Sequence, residues 1–315
     1  MSENPKNVEQ GLPEGSPDFS SVRPVVSETG SIQGSEESLV ADSPRHAEYE
    51  DRVVAFVDVL GFKEIIGRSA GDPDLVRRIH HALDVRNDDW AEVFAADVGL
   101  EMKPMDFQDR IHSFSDFVVV SVRQDIREIG LLVYIVFKIC RQLLFSGFLS
   151  RGGIAMGKLY HRDVSEGSSE AGPPMVFGPA FIEAYQFESS HADGPRVILQ
   201  NKVREHIQKK CNLYPDSRLT AFLKTHVQRA DDGPAFIDFF CDFCANEYYE
   251  AAPDISSEIA QIRSHLCDAL DLTTDKPLYF RKNAQIAREF NRAVTRAGKH
   301  ELLIDADRLP RRDGH

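Results

Sequence analysis

Two aspartates carry the strongest chemical signal in the sequence, because each lies beside an apolar segment. Asp58 falls within 52–62, among Val, Ala, Phe and Leu, and Asp116 stands at the tip of a predicted hairpin over 110–121. An ionised carboxylate in an apolar strand is costly unless it is paired or binds a metal. Two hard oxygen ligands suit Mg²⁺ or Mn²⁺ bound jointly with a polyphosphate. Taken singly, Asp58 is equally a cap of the following turn and Asp116 a turn residue. Together they predict a metal site.

A glycine-rich segment over 150–157 is a second candidate for phosphate chemistry. Glycine lets a backbone come close to another backbone or to a phosphate, and the planar guanidinium of Arg151 is suited to clamping phosphate oxygens. The alternative is a twisted central strand with a surface arginine. A third candidate is the glycine turn that opens a helix within 176–188, whose amides would face an anion unless the helix is simply amphipathic. The sequence contains neither the GxxxxGK[ST] of a P-loop nor the GxGxxG of a Rossmann fold.

The elements that hydrophobic periodicity predicts place these residues in an α+β fold. Up to residue 199 they are a strand at 52–62, helical segments at 62–94 broken at 71–73, the hairpin at 110–121, a helix at 127–145, a strand at 149–160, a helix at 179–190 and a strand at 195–199. This β-α-β-β-α-β order is that of a ferredoxin-like split βαβ fold. In this topology the hairpin strands lie beside the first strand, so Asp58 and Asp116 would meet at one sheet edge.

The remainder of the chain is predicted to add one strand and several helices. These are a helix near 203–210, a strand at 235–240 and helices at 256–270 and 282–296. We expect the C-terminal helices to cover the sheet or to extend a dimer contact.

Charge is unevenly distributed along the 315 residues, whose formal net charge is −13. Residues 1–50 contain ten acidic and three basic residues, so this segment holds more than half of the net charge. Its Ser, Gly, Pro and Glu content predicts a disordered acidic tail over 1–48. One domain would follow over 49–315, with a core at 52–240 and a helical extension at 250–300. The acidic balance argues against a broad basic surface for nucleic acid polymers or anionic lipids.

The sequence offers no targeting or membrane-spanning segment. Its first residues have neither a positive n-region nor an apolar h-region, and its longest apolar runs are far shorter than the roughly 18–20 residues that span a bilayer. Five cysteines, an odd number in a long chain, do not indicate a disulfide scaffold. We therefore expect a cytoplasmic protein without a membrane partner.

Four motifs, in this order, resemble those of class III nucleotidyl cyclases over roughly 52–190. In that family the first strand reads F-x-D-I-x-G-F, and the hairpin carries a second metal aspartate. A later strand reads R-x-G-I-x-x-G, and a helix follows with G-x-x-V-N-x-A-x-R. The corresponding positions here are Phe56, Asp58, Gly61 and Phe62 in the first strand, Asp116 in the hairpin, 151–157 in the later strand and 178–186 in the helix.

This resemblance implies a two-metal phosphoryl-transfer site. Asp58 and Asp116 would hold two Mg²⁺ or Mn²⁺ ions, with help from the carbonyl of Val59. The ribose 3′-hydroxyl would attack the α-phosphorus in line, pyrophosphate would leave, and Arg151 would bind the leaving phosphates. Further substrate contacts are expected from Phe56, Gly61 and Phe62.

The sequence departs from purine cyclases where that family reads the base and stabilises the transition state. His112 stands where a Lys or Glu usually reads the base, and Met175 stands where the partner Asp would fall. The Asn and Arg of the helix are replaced by Ile182 and Gln186. An inactive, degenerate site is one interpretation. A decayed site would be expected to lose its metal carboxylates as well, and both are present, so the other interpretation is a different base.

The sequence is also similar to the pyrimidine nucleotide cyclases of bacterial Pycsar anti-phage defence, as far as about residue 240. Shared features are F-V-D-x-L-G-F, F-S-D, R-G-G-I and F-G-P-A-x-x-E-A-Y, followed by Glu188, Ala192 and 195–197. The resemblance implies a homodimer with shared active sites that makes cyclic UMP or cyclic CMP. The product would signal to a separate effector during phage infection. Candidates for replacing the missing pair are Tyr185, Glu183 and Arg196, each equally compatible with a structural role.

The prediction is therefore a uridylate cyclase, with CTP a less favoured substrate than UTP. Two alternatives stay open from the sequence. One is an adenylate or guanylate cyclase, and the other is a non-catalytic nucleotide-sensing module of cyclase ancestry.

Overall fold

The computed structural model describes residues 48–84, 89–100, 110–162, 175–192, 194–230, 233–244 and 255–309. The chain divides into two units, 1–46 and 47–315, and all the described residues belong to the second. The predicted acidic tail over 1–48 lies, apart from its last residue, outside the described residues.

The described chain alternates short strands with helices. The strands are Glu50–Val59 (β1), Ile111–Ser113 (β2), Phe117–Arg123 (β3), Ser150–Arg162 (β4), Met175–Phe177 (β5), Val197–Leu199 (β6), Val227–Arg229 (β7) and Ala235–Ile237 (β8). The helices are Phe62–Ser69 (α1), Pro73–Leu83 (α2), Asp89–Val98 (α3), Ile126–Phe145 (α4), Pro179–His191 (α5), Asn201–Leu213 (α6), Arg218–His226 (α7), Ser256–Asp271 (α8) and Pro277–Arg296 (α9). Two 3₁₀ turns lie at Cys241–Phe243 and His300–Leu302.

The sheet confirms the predicted α+β fold with a ferredoxin-like split βαβ core. Its strand order is β2-β3-β1-β4-β6-β8-β7, and β5 pairs with β4 off this path. Strand β1 lies between β3 and β4 and is antiparallel to both. The helices α1 to α3 connect β1 to β2, and β3 lies between these two strands. Helix α4 connects β3 to β4, and β1 lies between those two. This arrangement defines the split βαβ topology, and it places β1 in the middle of the core.

Several elements differ from the prediction, each for a local reason. The strand expected over 235–240 ends at Ile237, because the Asp238 carboxylate accepts a hydrogen bond from the amide of Phe240 at 2.9 Å and turns the chain. Helix α9 begins at Pro277, since proline is favoured in the first helical turn. Helix α7 was not predicted, although Ser217 caps it by accepting from the amide of Thr220 at 3.1 Å. Strands β5 and β7 were also not predicted.

Side chains on the two faces of β1 belong to different cores. Val53, Ala55 and Val57 enter a large core that also contains α4 and the apolar faces of α8 and α9. Val54 and Phe56 enter a smaller core against α5 on the other face. Because side chains alternate along a strand, Asp58 falls on the smaller face. The C-terminal helices therefore extend the core beside the sheet.

Helix α5 comes so close to β4 that the contact requires glycine. A Cβ atom at Gly153 would collide with the carbonyl oxygen of Ala184 and approach the amide nitrogen of Glu188 to 3.0 Å. Both obstacles are helix backbone, which cannot rotate away as a side chain can. Gly153 of the Gly-Gly pair thus sets the distance between β4 and α5.

We expect Gly153→Ala to destabilise the fold by about 3 kcal/mol, the upper end of typical overpacking costs, because α5 must move away from β4. The matched control is Gly157→Ala, on the same strand, where a Cβ would meet only the Cβ of Ala180 at an ordinary 3.7 Å. Urea denaturation of both variants checks the expectation. Equal stability of the two variants would contradict it.

Within the described residues, no helix combines the length and the apolar character needed to cross a bilayer.

Candidate active site

The sheet register brings the two predicted aspartates and the predicted arginine to one place. Asp58 lies near the end of β1, paired with Phe117 of β3 on one side and with Arg151 of β4 on the other. The amide of Val59 donates to the carbonyl oxygen of Asp116 at 2.9 Å. The site thus lies at the end of the central strand, with one carboxylate from that strand and the other from the hairpin.

A glycine turn ends the strand directly after the site. The amide of Leu60 donates to the carbonyl of Leu149 at 2.8 Å, and Gly61 takes a left-handed φ of 72° before α1 begins. A residue with a Cβ adopts this conformation at a cost. Gly61 therefore forms a backbone turn that closes the end of β1, and its predicted contact with a substrate stays a prediction.

Arg151 lies between two carboxylates. Its Nε is 3.5 Å from Oδ2 of Asp58 and also forms an ion pair with Oε1 of Glu188. The side chain of Glu188 is 1% exposed, whereas those of Arg151 and Asp58 are 27% and 22% exposed. The arginine is thus anchored from the interior and open on its outer side, where a ligand would meet it.

Burial raises the pKa of two acids of this site, and the charge of Arg151 opposes the shift in both. Burial raises the pKa of Asp58, Arg151 lowers it in part, and the nearby charge of Asp116 raises it further. Burial also raises the pKa of Glu188, again opposed by Arg151. Arg151 therefore balances two carboxylates, Asp58 and Glu188, while Asp116 adds a third negative charge near Asp58, and the excess negative charge favours a cation.

This donor set fits a divalent metal bound together with a substrate. Asp58 and Asp116 supply hard oxygen ligands of the kind Mg²⁺ and Mn²⁺ prefer. Within the described ranges, no group of three or more His, Cys, Asp or Glu side chains is placed to hold a metal. The remaining ligands would have to come from backbone carbonyls such as that of Val59, from water and from a bound polyphosphate.

An aromatic cluster forms the floor beside the carboxylates. Phe56 is 5% exposed, and its ring centroid lies 5.2 Å from Phe117, 6.1 Å from Phe181 and 5.4 Å from Tyr185. Tyr185 stands edge-on to Phe56 and is 51% exposed. Among the predicted residues, Phe56 and Tyr185 are therefore brought close to the Asp58 position.

His112 lies on the same face, within a chain of polar contacts. It is 8% exposed, and its Nε2 is 3.2 Å from Nε2 of His161. His161 in turn contacts the Ser121 hydroxyl through Nδ1 at 2.6 Å. His112 pairs in register with Val119, which pairs with Phe56. Its predicted part in reading a base stays a prediction.

Three predicted residues have their contacts elsewhere. Phe62 packs against the large core, on the opposite side of the sheet from Asp58. Glu183 binds Nζ of Lys202 at 2.6 Å. Arg196 is 4% exposed, and its charge acts on Glu289 of α9. Packing gives these side chains structural partners, so their roles toward a substrate also stay predictions.

Glu188 belongs to this site although the sequence, which includes it among the features shared with the Pycsar cyclases, predicted no role for it. It follows Ala180 and Ala184 at intervals of four residues, and all three are buried on the face of α5 that meets β4. A carboxylate at the third position of such an apolar row needs a cationic partner. This spacing of four residues could have predicted from the sequence that Glu188 is buried and paired with a cation, although it does not identify Arg151 as that partner.

No protein-family model matches the chain, and no curated protein matches it in sequence. Among solved structures, a guanylyl cyclase is 18% identical with a TM-score of 0.34, over 51% of this chain and 79% of that one. Two structures of a bacterial light-regulated adenylyl cyclase are 13% and 14% identical, with TM-scores of 0.39 and 0.37. Each alignment to the light-regulated enzyme covers 70% of this chain, which spans 59% of the enzyme's length.

Proposed function

We propose that this protein is a nucleotidyl cyclase that converts UTP, or less favourably CTP, to the cyclic 3′,5′-monophosphate and pyrophosphate. One observation carries the proposal: the register of the sheet brings Asp58, Asp116 and Arg151 together at the end of β1. In the reaction, the 3′-oxygen of the ribose bonds to the α-phosphorus, the bond from that phosphorus to the β-phosphate oxygen breaks, and the hydroxyl proton is released.

The residues of the site divide this task between them. Two Mg²⁺ or Mn²⁺ ions, when bound, would neutralise the triphosphate and favour ionisation of the 3′-hydroxyl. Asp58 and Asp116 would hold them. Arg151, anchored by the buried Glu188, presents its open side to the leaving phosphates. The rings of Phe56 and Tyr185 offer an apolar surface that orients the nucleoside and excludes water.

The residues at the two positions that read a purine base in other cyclases differ in this chain, and their identities favour a pyrimidine substrate. His112 is nearly buried and in contact with His161, and Met175 has no polar group with which to bind a base edge. With the resemblance to the Pycsar cyclases, this supports synthesis of cyclic UMP as a second messenger that acts on a separate effector in anti-phage defence.

A homodimer with shared active sites is part of this proposal. Large apolar side chains are exposed around the candidate site: Ile182 is 53% exposed, Tyr185 51% and Phe114 48%. A second copy of the chain would cover this surface and complete a site that is open in the single subunit.

The test is product analysis. Purified protein is incubated with Mn²⁺ and, separately, UTP, CTP, ATP or GTP, and the products are identified by mass spectrometry. We expect cyclic UMP as the main product. Cyclic AMP or cyclic GMP as the main product would overturn the pyrimidine specificity, and the absence of any cyclic nucleotide would overturn the enzymatic function.

A non-catalytic nucleotide sensor is the second candidate, favoured by the loss of the helix Asn and Arg to Ile182 and Gln186. It predicts a rise in melting temperature with UTP and metal but no turnover. A shift without product would support the sensor.

We expect Glu188→Gln to lower kcat about 10- to 100-fold, the effect typical of losing a partner that orients a site residue. The loss of its charge releases Arg151 while the side-chain volume is kept.

Because burial raises the pKa of Glu188, acidification neutralises its carboxylate, so activity of the wild-type enzyme should fall on the acid side. The variant should lack this contribution to the pH–rate profile. The control is Glu205→Gln, an exposed residue of α6. Unchanged kcat and an unchanged acid limb would exclude this positioning role.

A further inference from the structure

A second groove lies at the β7 edge of the sheet, away from the Asp58 site on the central strand β1. It is enclosed by β7, β8, α9 and the segment 303–309, and its volume is about 1140 Å³. Four arginines line it, and we call it the arginine groove: Arg229, Arg288, Arg292 and Arg296. Strand β7 is the last in the sheet order, with β4, β6 and β8 between it and β1. The groove is therefore separate from the candidate active site.

The arginines are arranged to act on one ligand. Arg288, Arg292 and Arg296 follow one another at intervals of four residues, so they lie along one face of α9 about 6 Å apart. Arg229 comes from β7 on the other wall, where its Nε donates to the carbonyl of Gly233 at 3.3 Å. Cationic groups thus approach the groove from two sides.

Three acids line the groove: Glu289 interacts electrostatically with Arg196 and Arg292, and the other two are engaged with other groups. Asp238 is 3.4 Å from Arg296 and accepts from the amide of Phe240. Asp305 lies 3.6 Å from Arg263, which does not line the groove.

Two of the arginines are not neutralised in this way. In the part of the chain that the structure describes, neither Arg229 nor Arg292 forms an ion pair within 4.0 Å. The groove therefore has positive charge available for an incoming anion.

We infer that the arginine groove binds a nucleoside phosphate, with the phosphate on Arg229 and Arg292 and the ring against Phe236. Guanidinium groups bind phosphate oxygens through paired hydrogen bonds. Phe236 and Leu303 provide an apolar wall within the same groove. The carboxylates of Asp238 and Asp305 would repel successive phosphates of a polymer, so a small ligand with a single phosphate group is favoured over nucleic acid.

The charge of Glu289 adds a dependence on pH. It also lines the groove, and burial raises its pKa to about 7, with Arg196 and Arg292 acting against this shift and Asp238 adding to it. Below this pH the carboxyl is mostly neutral, so Arg292 has more positive charge to offer. An anion whose own charge does not change with pH should therefore bind more tightly at pH 6 than at pH 8.

The experiment measures binding without turnover, so its result is independent of the proposed cyclase activity. The full chain carrying Asp58→Asn is titrated calorimetrically in EDTA with UMP, uridine and inorganic phosphate. We expect UMP to bind, uridine not to bind, and phosphate to bind at least tenfold more weakly than UMP. Adding Arg229→Ala and Arg292→Ala should weaken UMP binding at least tenfold, whereas the control Lys276→Ala, at the exposed start of α9, should not. Adding Glu289→Gln should lower the ratio of the affinity at pH 6 to that at pH 8, and leave only the change that comes from the second ionisation of the UMP phosphate, whose pKa is about 6.

Three results would overturn the inference. They are no UMP binding at millimolar concentration, UMP binding that survives loss of both arginines, and equal affinity for UMP and phosphate, which would mean that the groove recognises no ring.

Discussion

Asp58→Asn is expected to reduce cyclic nucleotide formation by at least about 10³-fold, which is the upper range for loss of a single electrostatic stabiliser in an active site. The amide has the size of the carboxylate but lacks the negative charge that would hold a divalent cation. It also leaves Arg151 with Glu188 as its carboxylate partner, because the contact between Arg151 and Asp58 loses its ionic character. The measurement is the rate of product formation from UTP at saturating Mn²⁺.

The matched control is Asp51→Asn, at the other end of the same strand. Asp51 is exposed and pairs with Lys158 at 2.8 Å, far along β1 from the site. Its substitution should leave the rate unchanged, and circular dichroism should show both variants to be folded. A rate within tenfold of the wild type for Asp58→Asn would remove this carboxylate from the reaction.

Arg141→Met is expected to destabilise the protein by about 3–5 kcal/mol, the range measured when one partner of a buried ion pair is removed. The guanidinium of Arg141 is nearly buried, 2.9 Å from Asp242 and 2.6 Å from Glu258, and it donates to the carbonyl of Phe239 at 2.5 Å. Methionine fills similar volume, so the loss comes from the carboxylates left without their cation. The measurement is urea denaturation.

The pH dependence distinguishes this cause from a packing defect. Burial raises the pKa of Asp242, and Arg141 opposes the shift. Without the arginine, the folded state favours the protonated acid more strongly, so stability falls as pH rises. The variant should therefore lose more stability at pH 8 than at pH 5. The control, Arg77→Met, removes an exposed pair with Asp74 and should cost no more than about 0.5 kcal/mol.

The core topology was predictable because its signals are local. The apolar run of β1, the polar tip of the hairpin and the apolar length of α4 each indicate one element, and their order admits the split βαβ arrangement. Three residues are too few to show an alternating pattern. The equally short β2, β6 and β8 were predicted because they lie within longer segments that carry a signal, the hairpin at 110–121 and the runs at 195–199 and 235–240, and β5 and β7 lack such a segment.

The partners of the site residues depend on tertiary contacts that spacing does not reveal. Asp58 and Asp116 could be placed together from the topology alone. The ion pair between Arg151 and Glu188 could not, because it depends on how closely α5 approaches Gly153. The packing of Phe62 was equally hidden: it lies four residues after Asp58, and the turn at Gly61 directs it towards the core on the other face, while its predicted substrate contact stays a prediction.

In the proposed function, the position of Arg151 between Asp58 and Glu188 would make metal uptake an exchange of cations. A tethered guanidinium already lies beside Asp58, so an arriving ion would compete with it, and the metal affinity would include the cost of that displacement. Glu188 determines where the displaced arginine goes, because it holds the side chain from the interior. Loading the site with metal would then, in the same event, turn an arginine that neutralises the empty site into one that is available to phosphate.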